Sequence, residues 1–249
     1  MFRNVTPGTA SRLTMVDHDE TYGRHILGAA LRNVNVSHCV DLGCGNGDDL
    51  LLVKERHAQA SCIGIDFNNR NRDLLTERGI ESVSVNIESQ PLPIGDASMD
   101  LVIANQILEH VKEIYWINHE IFRVLKVGGC LYLGVPNVLS LHNRILGFFG
   151  VHPTSAKLIS AHVRVFSKRD TISFYRNVAG DVLTVDQFHG SQFYPFPRVA
   201  ARALSALFPS LAFSIFFLIR KTREYNGEFL AWPGRNHLET NYYRGRDVC

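Results

Sequence analysis

A glycine-rich stretch flanked by carboxylates is the part of the sequence best suited to hold a ligand. Residues 40–49 read VDLGCGNGDD, so Gly43, Gly45 and Gly47 alternate directly after a short apolar run. Glycine lets the backbone adopt left-handed conformations and approach a ligand closely. The spacing is G-x-G-x-G, whereas a dinucleotide-binding turn reads G-x-G-x-x-G. The stretch therefore predicts a backbone cradle for a ligand other than a dinucleotide.

Two aspartates after the last glycine argue against a phosphate ligand. Asp48 and Asp49 would lie in the first turn of a helix, where the dipole favours carboxylates but where they would repel a pyrophosphate. A cofactor with an adenosine end and a cationic end, such as S-adenosylmethionine, fits this charge better. Asp41 could accept a hydrogen bond from its ammonium group, and Asp66, at the end of the next predicted strand, could bind its ribose diol.

Four ordered motifs resemble those of the class I S-adenosylmethionine-dependent methyltransferases, and among these the type-11 group that acts on small molecules. They read VDLGCGNG, GIDFN, VNIESQPLPIGDASMDLVIANQILEHV and RVLKVGGCLYLGVPN. The resemblance implies S-adenosylmethionine as the cofactor and a seven-stranded sheet whose last strand is antiparallel. It also implies a set of cofactor-binding residues: Asp41, Gly43, Cys44, Gly45 and Gly47 at the methionine half, Asp66 at the ribose, Phe67, Asn86 and Ile87 at the adenine, and Asn105 and Gln106 facing the methionine moiety.

Candidate catalytic residues follow the fourth predicted strand. Glu109 and His110 open the next predicted helix, and the resemblance implies that this corner lies beside the transferable methyl group. Histidine ordinarily titrates near neutral pH, so His110 could take a proton from an acceptor, or it could simply cap the helix. Two adjacent side chains are not a metal signature, and no metal site is predicted.

A second candidate group lies in AHVRVFSKRD, at the end of a long segment without regular pattern. Alternate residues of a strand share a face, so His162, Arg164 and Phe166 are predicted to point together. His162 and Arg164 are therefore candidate catalytic residues, and Arg164 could bind an anionic acceptor. The alternative is a surface pair that fixes the insertion. Near the N-terminus, Tyr22 and Arg24 could close over the cofactor or could serve packing alone.

Alternating strands and helices must position these residues. Apolar runs predict strands at 38–42, 61–66, 82–86, 101–105, 130–135, 182–188 and 211–219. Helices are predicted at 19–34, 48–57, 70–78, 111–125, 167–178 and 198–207. This order predicts an α/β fold with a Rossmann-like, doubly wound, mostly parallel sheet and an insertion at about 138–166 after the fifth strand. One domain would cover residues 1–220, followed by a C-terminal tail, 221–249.

Composition limits the remaining possibilities. The chain has 249 residues, 45% of them hydrophobic, which is enough for one sizeable core. A net charge of +2 does not indicate a nucleic-acid partner. Five scattered cysteines indicate free thiols in a reducing compartment, and the first residues lack the apolar stretch of a signal peptide, so a cytoplasmic location is expected.

The uncharged segment 203–219 raises the question of a membrane. It reads ALSALFPSLAFSIFFLI, whereas a membrane span needs about 20 apolar residues. Because Pro209 lies in its middle, a helix, a break at Pro209–Ser210 and a buried strand are favoured over a membrane anchor.

Four functions remain open, of which a nicotinamide-dependent dehydrogenase is the least favoured. The first is in-line methyl transfer to oxygen or nitrogen of a small molecule such as a sugar or polyketide. The second is a membrane-peripheral methyltransferase for a lipid or lipid-linked glycan, docked through Phe148, Phe149 and the region 198–219. The third is a non-catalytic regulatory subunit that binds S-adenosylmethionine. The sequence does not indicate an oligomeric state.

Overall fold

The computed structural model describes residues 18–68, 70–239 and 241–245. The N-terminal segment considered for a signal peptide and Cys249 lie outside these ranges. The helices are α1 (His18–Tyr22), α2 (Arg24–Ala30), α3 (Asp48–Arg56), α4 (Arg72–Glu77), α5 (Ile114–Val124), α6 (Leu141–Phe148), α7 (Lys168–Ala179), α8 (Arg198–Leu207) and α9 (Glu228–Arg235). The strands are β1 (His38–Leu42), β2 (Ser61–Asp66), β3 (Glu81–Ser84), β4 (Met99–Asn105), β5 (Leu125–Pro136), β6 (Leu183–Ser191) and β7 (Ser214–Lys221).

The strands form one seven-stranded sheet in the order β3-β2-β1-β4-β5-β7-β6. Strands β1 to β5 pair in parallel, and β7 runs antiparallel to both of its neighbours, β5 and β6. This confirms the predicted α/β architecture, including the antiparallel last strand. The carboxyl ends of β1, β2 and β4 consequently meet at one edge of the sheet, where open α/β sheets bind their ligands.

Both faces of the sheet are covered by helices. In β4, Val102 and Ala104 belong to the core on one face, together with α5, α7 and α9. Leu101 and Ile103 belong to the core on the other face, together with α2 and α3. Alternate residues of a strand point to opposite faces, so a continuous apolar run is what a strand buried on both sides requires.

The predicted helix at 19–34 is divided in two at Gly23. Gly23 has a φ of 55°, and a Cβ atom at this position would lie 2.4 Å from the ring of Phe216 in β7. Its carbonyl oxygen accepts a hydrogen bond of 3.3 Å from the hydroxyl of Tyr132. The kink thus depends on contacts with distant strands, which local periodicity does not reveal.

The helix predicted at 111–125 begins later, at Ile114, and ends at Val124. Glu109 and His110 therefore belong to a separate 3₁₀ turn, Leu108–His110, and do not open α5. At its other end, α5 passes directly into β5, which begins at Leu125. Leu125 pairs with Met99 of β4, and an irregularity in the β4–β5 pairing follows this first pair.

The uncharged segment 203–219 forms α8, a 3₁₀ turn at Pro209–Leu211, and β7. The predicted helix, break and strand are confirmed. Among the residues that the structure describes, no helix is both long and apolar enough to cross a membrane.

The structure differs from the sequence prediction in two segments, residues 162–166 before β6 and the C-terminal tail after β7. No strand forms at His162–Phe166, where the described pairing is one isolated bridge between Asn137 and Phe166, so the predicted common face is wrong. The C-terminal tail contains α9, which the sequence analysis missed because Pro233 and Gly234 obscure its pattern. Helix α9 is held to the domain by Phe229, which is fully buried and stacks on Phe122 at a ring distance of 5.4 Å.

Candidate cofactor site

The glycine loop joins the end of β1 to α3 and is fixed to the end of β2. The amides of Gly43 and Cys44 donate to the carbonyl oxygen of Ile65 at 2.8 and 3.1 Å. Gly45 has a φ of 51°, and no atom lies within 4 Å of the place that a Cβ would occupy. The loop therefore presents open backbone at Gly45, as a ligand cradle requires.

An acidic cavity of about 330 Å³ lies on one side of the loop. Asp41, at the end of β1, lines this cavity and is 4% exposed. Within the described residues, its carboxylate has no hydrogen-bond partner. Burial raises the pKa of Asp41 well above its usual range, and the nearby carboxylate of Asp49 raises it further. A bound cation would favour the charged form again, so the cavity suits an ammonium group.

Asp48 and Asp49 are largely committed to the protein itself. Arg24 of α2 donates through Nη2 to Asp48 and through Nε to Asp49, both at 3.1 Å. Arg78 donates to the other oxygen of Asp48 at 2.9 Å. These pairs anchor α2 over the loop and reduce the repulsion of phosphate that the sequence alone suggested. Asp41 is therefore the better candidate for recognising a cation.

Asn105, at the end of β4, connects three elements at the acidic cavity. Its amide Nδ2 donates to Oδ2 of Asp49 at 2.7 Å and to the carbonyl oxygen of Tyr22 at 2.9 Å. Tyr22 and Arg24 also line the cavity, as one of the two predictions for them proposed. Gln106 is held in a left-handed conformation, with φ at 57°. It lines neither the acidic cavity nor the second cavity, which contains Asp66 and is described below.

A second cavity, of about 460 Å³, lies on the other side of Gly43, which lines both. Asp66 contributes a carboxylate whose Oδ2 accepts from the amide of Gly45 at 3.3 Å and whose Oδ1 accepts from that of Asn68 at 3.1 Å. Phe67 is 74% exposed beside it. Three further predicted residues line this cavity, Asn86, Ile87 and His110. The remaining walls come from residues without a predicted role: Ile65, Val85, Glu88, Ile107 and Val111.

Two of these residues show how the second cavity is built. The side-chain oxygen of Asn86 accepts from the amide of Glu88 at 3.0 Å, so one of its lone pairs is already used by a turn. Ile107 fills the space that a side chain on Gly43 would need, since a Cβ there would lie 2.8 Å from its Cδ1 atom. Its position two residues after the end of β4 is the sequence signal that could have identified it.

The predicted catalytic residues are brought together in part. The rings of His110 and His162 meet edge to face, with centroids 4.8 Å apart. Glu109 is 1% exposed beside them, and burial raises its pKa to about 8. His110 also lines the second cavity. Arg164 lies elsewhere: its guanidinium donates to the carbonyl oxygens of Val111 and Lys112, and so ties the insertion to the start of α5.

A third, mostly apolar cavity of about 420 Å³ lies above β5, β6 and β7 at the same edge of the sheet. Its walls come from α6 and the rest of the insertion, and from the segment after β6: His142, Leu146, Val151, Lys157, Tyr194 and Phe213. Burial lowers the pKa of His142, and the nearby Lys157 lowers it further. Gln192, which also lines this cavity, accepts a hydrogen bond of 2.8 Å from Thr21 of α1.

Comparison with known proteins identifies the central part of the chain. Residues 40–133 match the family model described as a methyltransferase domain. Demethylmenaquinone methyltransferase of Lactobacillus johnsonii is 31% identical over 137 residues, which are 50% of this chain and 55% of that protein. The chain thus spans about half the length of this curated relative.

Solved structures extend the likeness of the fold beyond the matched residues. The 1,6-didemethyltoxoflavin-N1-methyltransferase of Burkholderia thailandensis has a TM-score of 0.56 at 15% identity, covering 85% of this chain and 82% of that one. The [4+2]-cyclase SpnF has a TM-score of 0.59 at 18% identity, covering 86% and 84%. Because one of these proteins is a cyclase, the shared fold alone does not establish methyl transfer. The family match and the ordered motifs agree that residues 40–133 are similar to a methyltransferase domain of the S-adenosylmethionine-dependent class.

Proposed function

We propose that this chain transfers the methyl group of S-adenosylmethionine to oxygen or nitrogen of a small molecule with an apolar body. The observation that carries the proposal is the placement of Asp41 and Asp66 at the carboxyl ends of two adjacent strands, on either side of the glycine loop. Asp41 would accept from the ammonium group of the cofactor and Asp66 from its ribose diol. The cofactor supplies an electrophilic methyl group on a sulfonium.

The N-terminal helices support this role because they touch both the cofactor side and the apolar cavity. Arg24 and Tyr22 line the acidic cavity, while Thr21 is hydrogen-bonded to Gln192 in the wall of the apolar one. Helices α1 and α2, packed over the bound cofactor, would exclude water and help to align the acceptor with the methyl group. This alignment is the main task of the protein in methyl transfer.

The acceptor would enter through the apolar cavity, whose few polar groups include His142 and Lys157. His110 lies in the wall of the second cavity, which contains Asp66, and it would take the proton from an acceptor hydroxyl or amine. The names of the two similar methyltransferases support a small-molecule acceptor, since one contains demethylmenaquinone and the other contains 1,6-didemethyltoxoflavin.

The test is transfer of a radiolabelled methyl group from S-adenosylmethionine into the small-molecule fraction of a cell extract. Labelled product that disappears with Asp66→Asn supports the proposal. Binding of S-adenosylhomocysteine without transfer to any fraction would favour the regulatory subunit instead. Flotation with lipid vesicles tests a lipid-borne acceptor, because a chain that stays in the aqueous fraction has no lipid surface to work on. Label found in vesicles rather than in free small molecules would contradict the acceptor class proposed.

A further inference from the structure

We propose that Glu109, His110 and His162 bind a divalent transition-metal ion, of which Zn²⁺ is the best-matched example, at the wall of the cofactor cavity. Each residue offers one ligand atom, and these atoms all lie within 4.8 Å of one another. Two of the ligands come from the 3₁₀ turn after β4, and the third comes from the insertion. The site is thus assembled by the fold and not by adjacent residues alone.

The carboxylate of Glu109 is the first argument for a bound cation. The residue is 1% exposed, and its Oε2 atom has no hydrogen-bond partner among the residues that the structure describes. A buried polar atom without a partner is destabilising, and more so when it is charged. Its other oxygen, Oε1, lies 4.0 Å from Nε2 of His110. A cation bound to this carboxylate would supply the partner that Oε2 lacks, and Nε2 of His110 is close enough to be a second ligand.

The orientation of the two imidazoles is the second argument. Nδ1 of His110 lies 3.2 Å from the carbonyl oxygen of Ala161, and Nδ1 of His162 lies 3.3 Å from that of Ser155. A carbonyl oxygen can only accept, so these contacts assign the proton of each neutral ring to Nδ1, which leaves the electron pair of Nε2 available for a metal. Metal-binding histidines commonly donate their other ring N–H to a backbone carbonyl in this way.

The donor set narrows the class of ion. Two imidazole nitrogens and one carboxylate oxygen suit Zn²⁺ and its neighbours in the first transition row, whereas Mg²⁺ and Ca²⁺ prefer oxygen ligands. Ligand atoms around tetrahedral Zn²⁺, with bonds of about 2.0 Å, lie roughly 3.3 Å apart. Contraction of the longest spacing, 4.8 Å, by about 1.5 Å would complete the site.

Three protein ligands leave a position open, which is typical of catalytic rather than structural zinc sites. His110 also lines the cavity that contains Asp66, so the open position would face the bound cofactor. If the proposed function holds, on which this role rests, the bound ion would replace His110 as the group that activates the acceptor, because Nε2 of His110 would be occupied by the metal. An acceptor hydroxyl that reaches the ion would then lose its proton to water more readily. Binding of the ion itself does not depend on that function.

The experiment is calorimetric titration of Zn²⁺ into the full chain after treatment with a chelator. The same titration is made with Glu109→Gln, with His162→Ala, and with His152→Ala as the matched control, because His152 is an exposed histidine of the insertion outside the cluster. We expect one Zn²⁺ per chain, a loss of affinity of about 100-fold or more in the first two variants, and no change in the control. Circular dichroism verifies folding, and zinc should raise the melting temperature of the unaltered chain and the control alone.

Equal affinity in all four proteins, or no binding to the unaltered chain, would overturn the proposal. His162→Ala lies in the insertion, outside the sheet core, so it keeps the test decisive if Glu109→Gln folds poorly. Titration of S-adenosylhomocysteine into the same samples separates the two proposals. Zinc binding without cofactor binding would refute the proposed function only, and cofactor binding without zinc binding would refute the metal site only.

Discussion

Replacement of Asp66 by asparagine should weaken cofactor binding while leaving the fold intact. The asparagine keeps the shape of the side chain but loses its charge and one of its two acceptor oxygens. In the unaltered chain the two carboxylate oxygens of Asp66 accept from the backbone amides of Gly45 and Asn68 at 3.3 and 3.1 Å. Asp66 also lines the second cavity, where the adenosine of the cofactor would lie. The asparagine oxygen can still accept from one of the amides.

The magnitude follows from the ribose diol, which would donate two hydrogen bonds to the carboxylate. Hydrogen bonds to charged groups contribute about 1.5–3 kcal/mol each, and asparagine retains part of one. A loss of about 2–3 kcal/mol corresponds to a dissociation constant for S-adenosylhomocysteine that is roughly 30- to 150-fold higher. Isothermal titration calorimetry on the full chain measures it directly.

Asp100→Asn is the matched control for this experiment. Asp100 also accepts from two backbone amides, those of Ser37 and His38 at 3.0 and 2.9 Å, but it lies at the opposite edge of the sheet. We expect this variant to lose stability and to keep its cofactor affinity. An Asp66→Asn chain that binds S-adenosylhomocysteine as tightly as the unaltered one, or an Asp100→Asn chain that loses as much affinity, would refute the reasoning.

Three further predictions concern the scaffold. Gly134→Ala should lower the free energy of unfolding by about 1–3 kcal/mol, because the new Cβ would lie 2.2 Å from Oδ1 of Asn105. Gly147→Ala should instead raise the free energy of unfolding by up to about 1 kcal/mol, because Gly147 occupies an open helical position. Urea titrations measure both effects. Burial raises the pKa of Asp100, but hydrogen bonds from Lys126 and two backbone amides outweigh this and lower it overall. The stability that this carboxylate provides is therefore complete above its ordinary pKa near 4 and lost as the pH falls through the folded value, so Asp100→Asn should flatten the acid side of the stability curve, and an unchanged curve would contradict this. Lys221→Met should lower the melting temperature, since its buried ammonium donates at 2.9 and 2.6 Å to two carbonyl oxygens at the end of α5; a melting temperature equal to that of the unaltered chain would show that these bonds contribute nothing.

The cofactor half of the site could be predicted from the sequence because its signals are local. Strands β1 and β2 have the predicted bounds, and the glycine loop and Asp66 follow directly from the ends of those strands. Parallel strands bring their carboxyl ends to the same edge of the sheet, so residues that follow the ends of neighbouring strands are also close in space. The repulsion of phosphate predicted from Asp48 and Asp49 is reduced in the structure, because Arg24 comes from a distant helix and pairs with both carboxylates.

The features that sequence reasoning missed depend on contacts between distant segments. The break at Gly23 depends on the ring of Phe216, and the meeting of His110 with His162 depends on the path of the insertion. Helix α9 contains Pro233, yet it is held in place by the burial of Phe229. Tertiary packing overrides local preference at each of these places, and periodicity carries no information about it.

A crystal structure of the chain with S-adenosylhomocysteine would show directly how the cofactor is bound. We predict that the ribose hydroxyls lie within hydrogen-bond distance of Asp66, that the amino group lies against Asp41, and that the backbone at Gly45 borders the ligand. The vacant methyl position should then open toward the apolar cavity lined by His142 and Tyr194. A ligand bound away from Asp66 and the glycine loop, or an amino group held by a residue other than Asp41, would contradict the central claim.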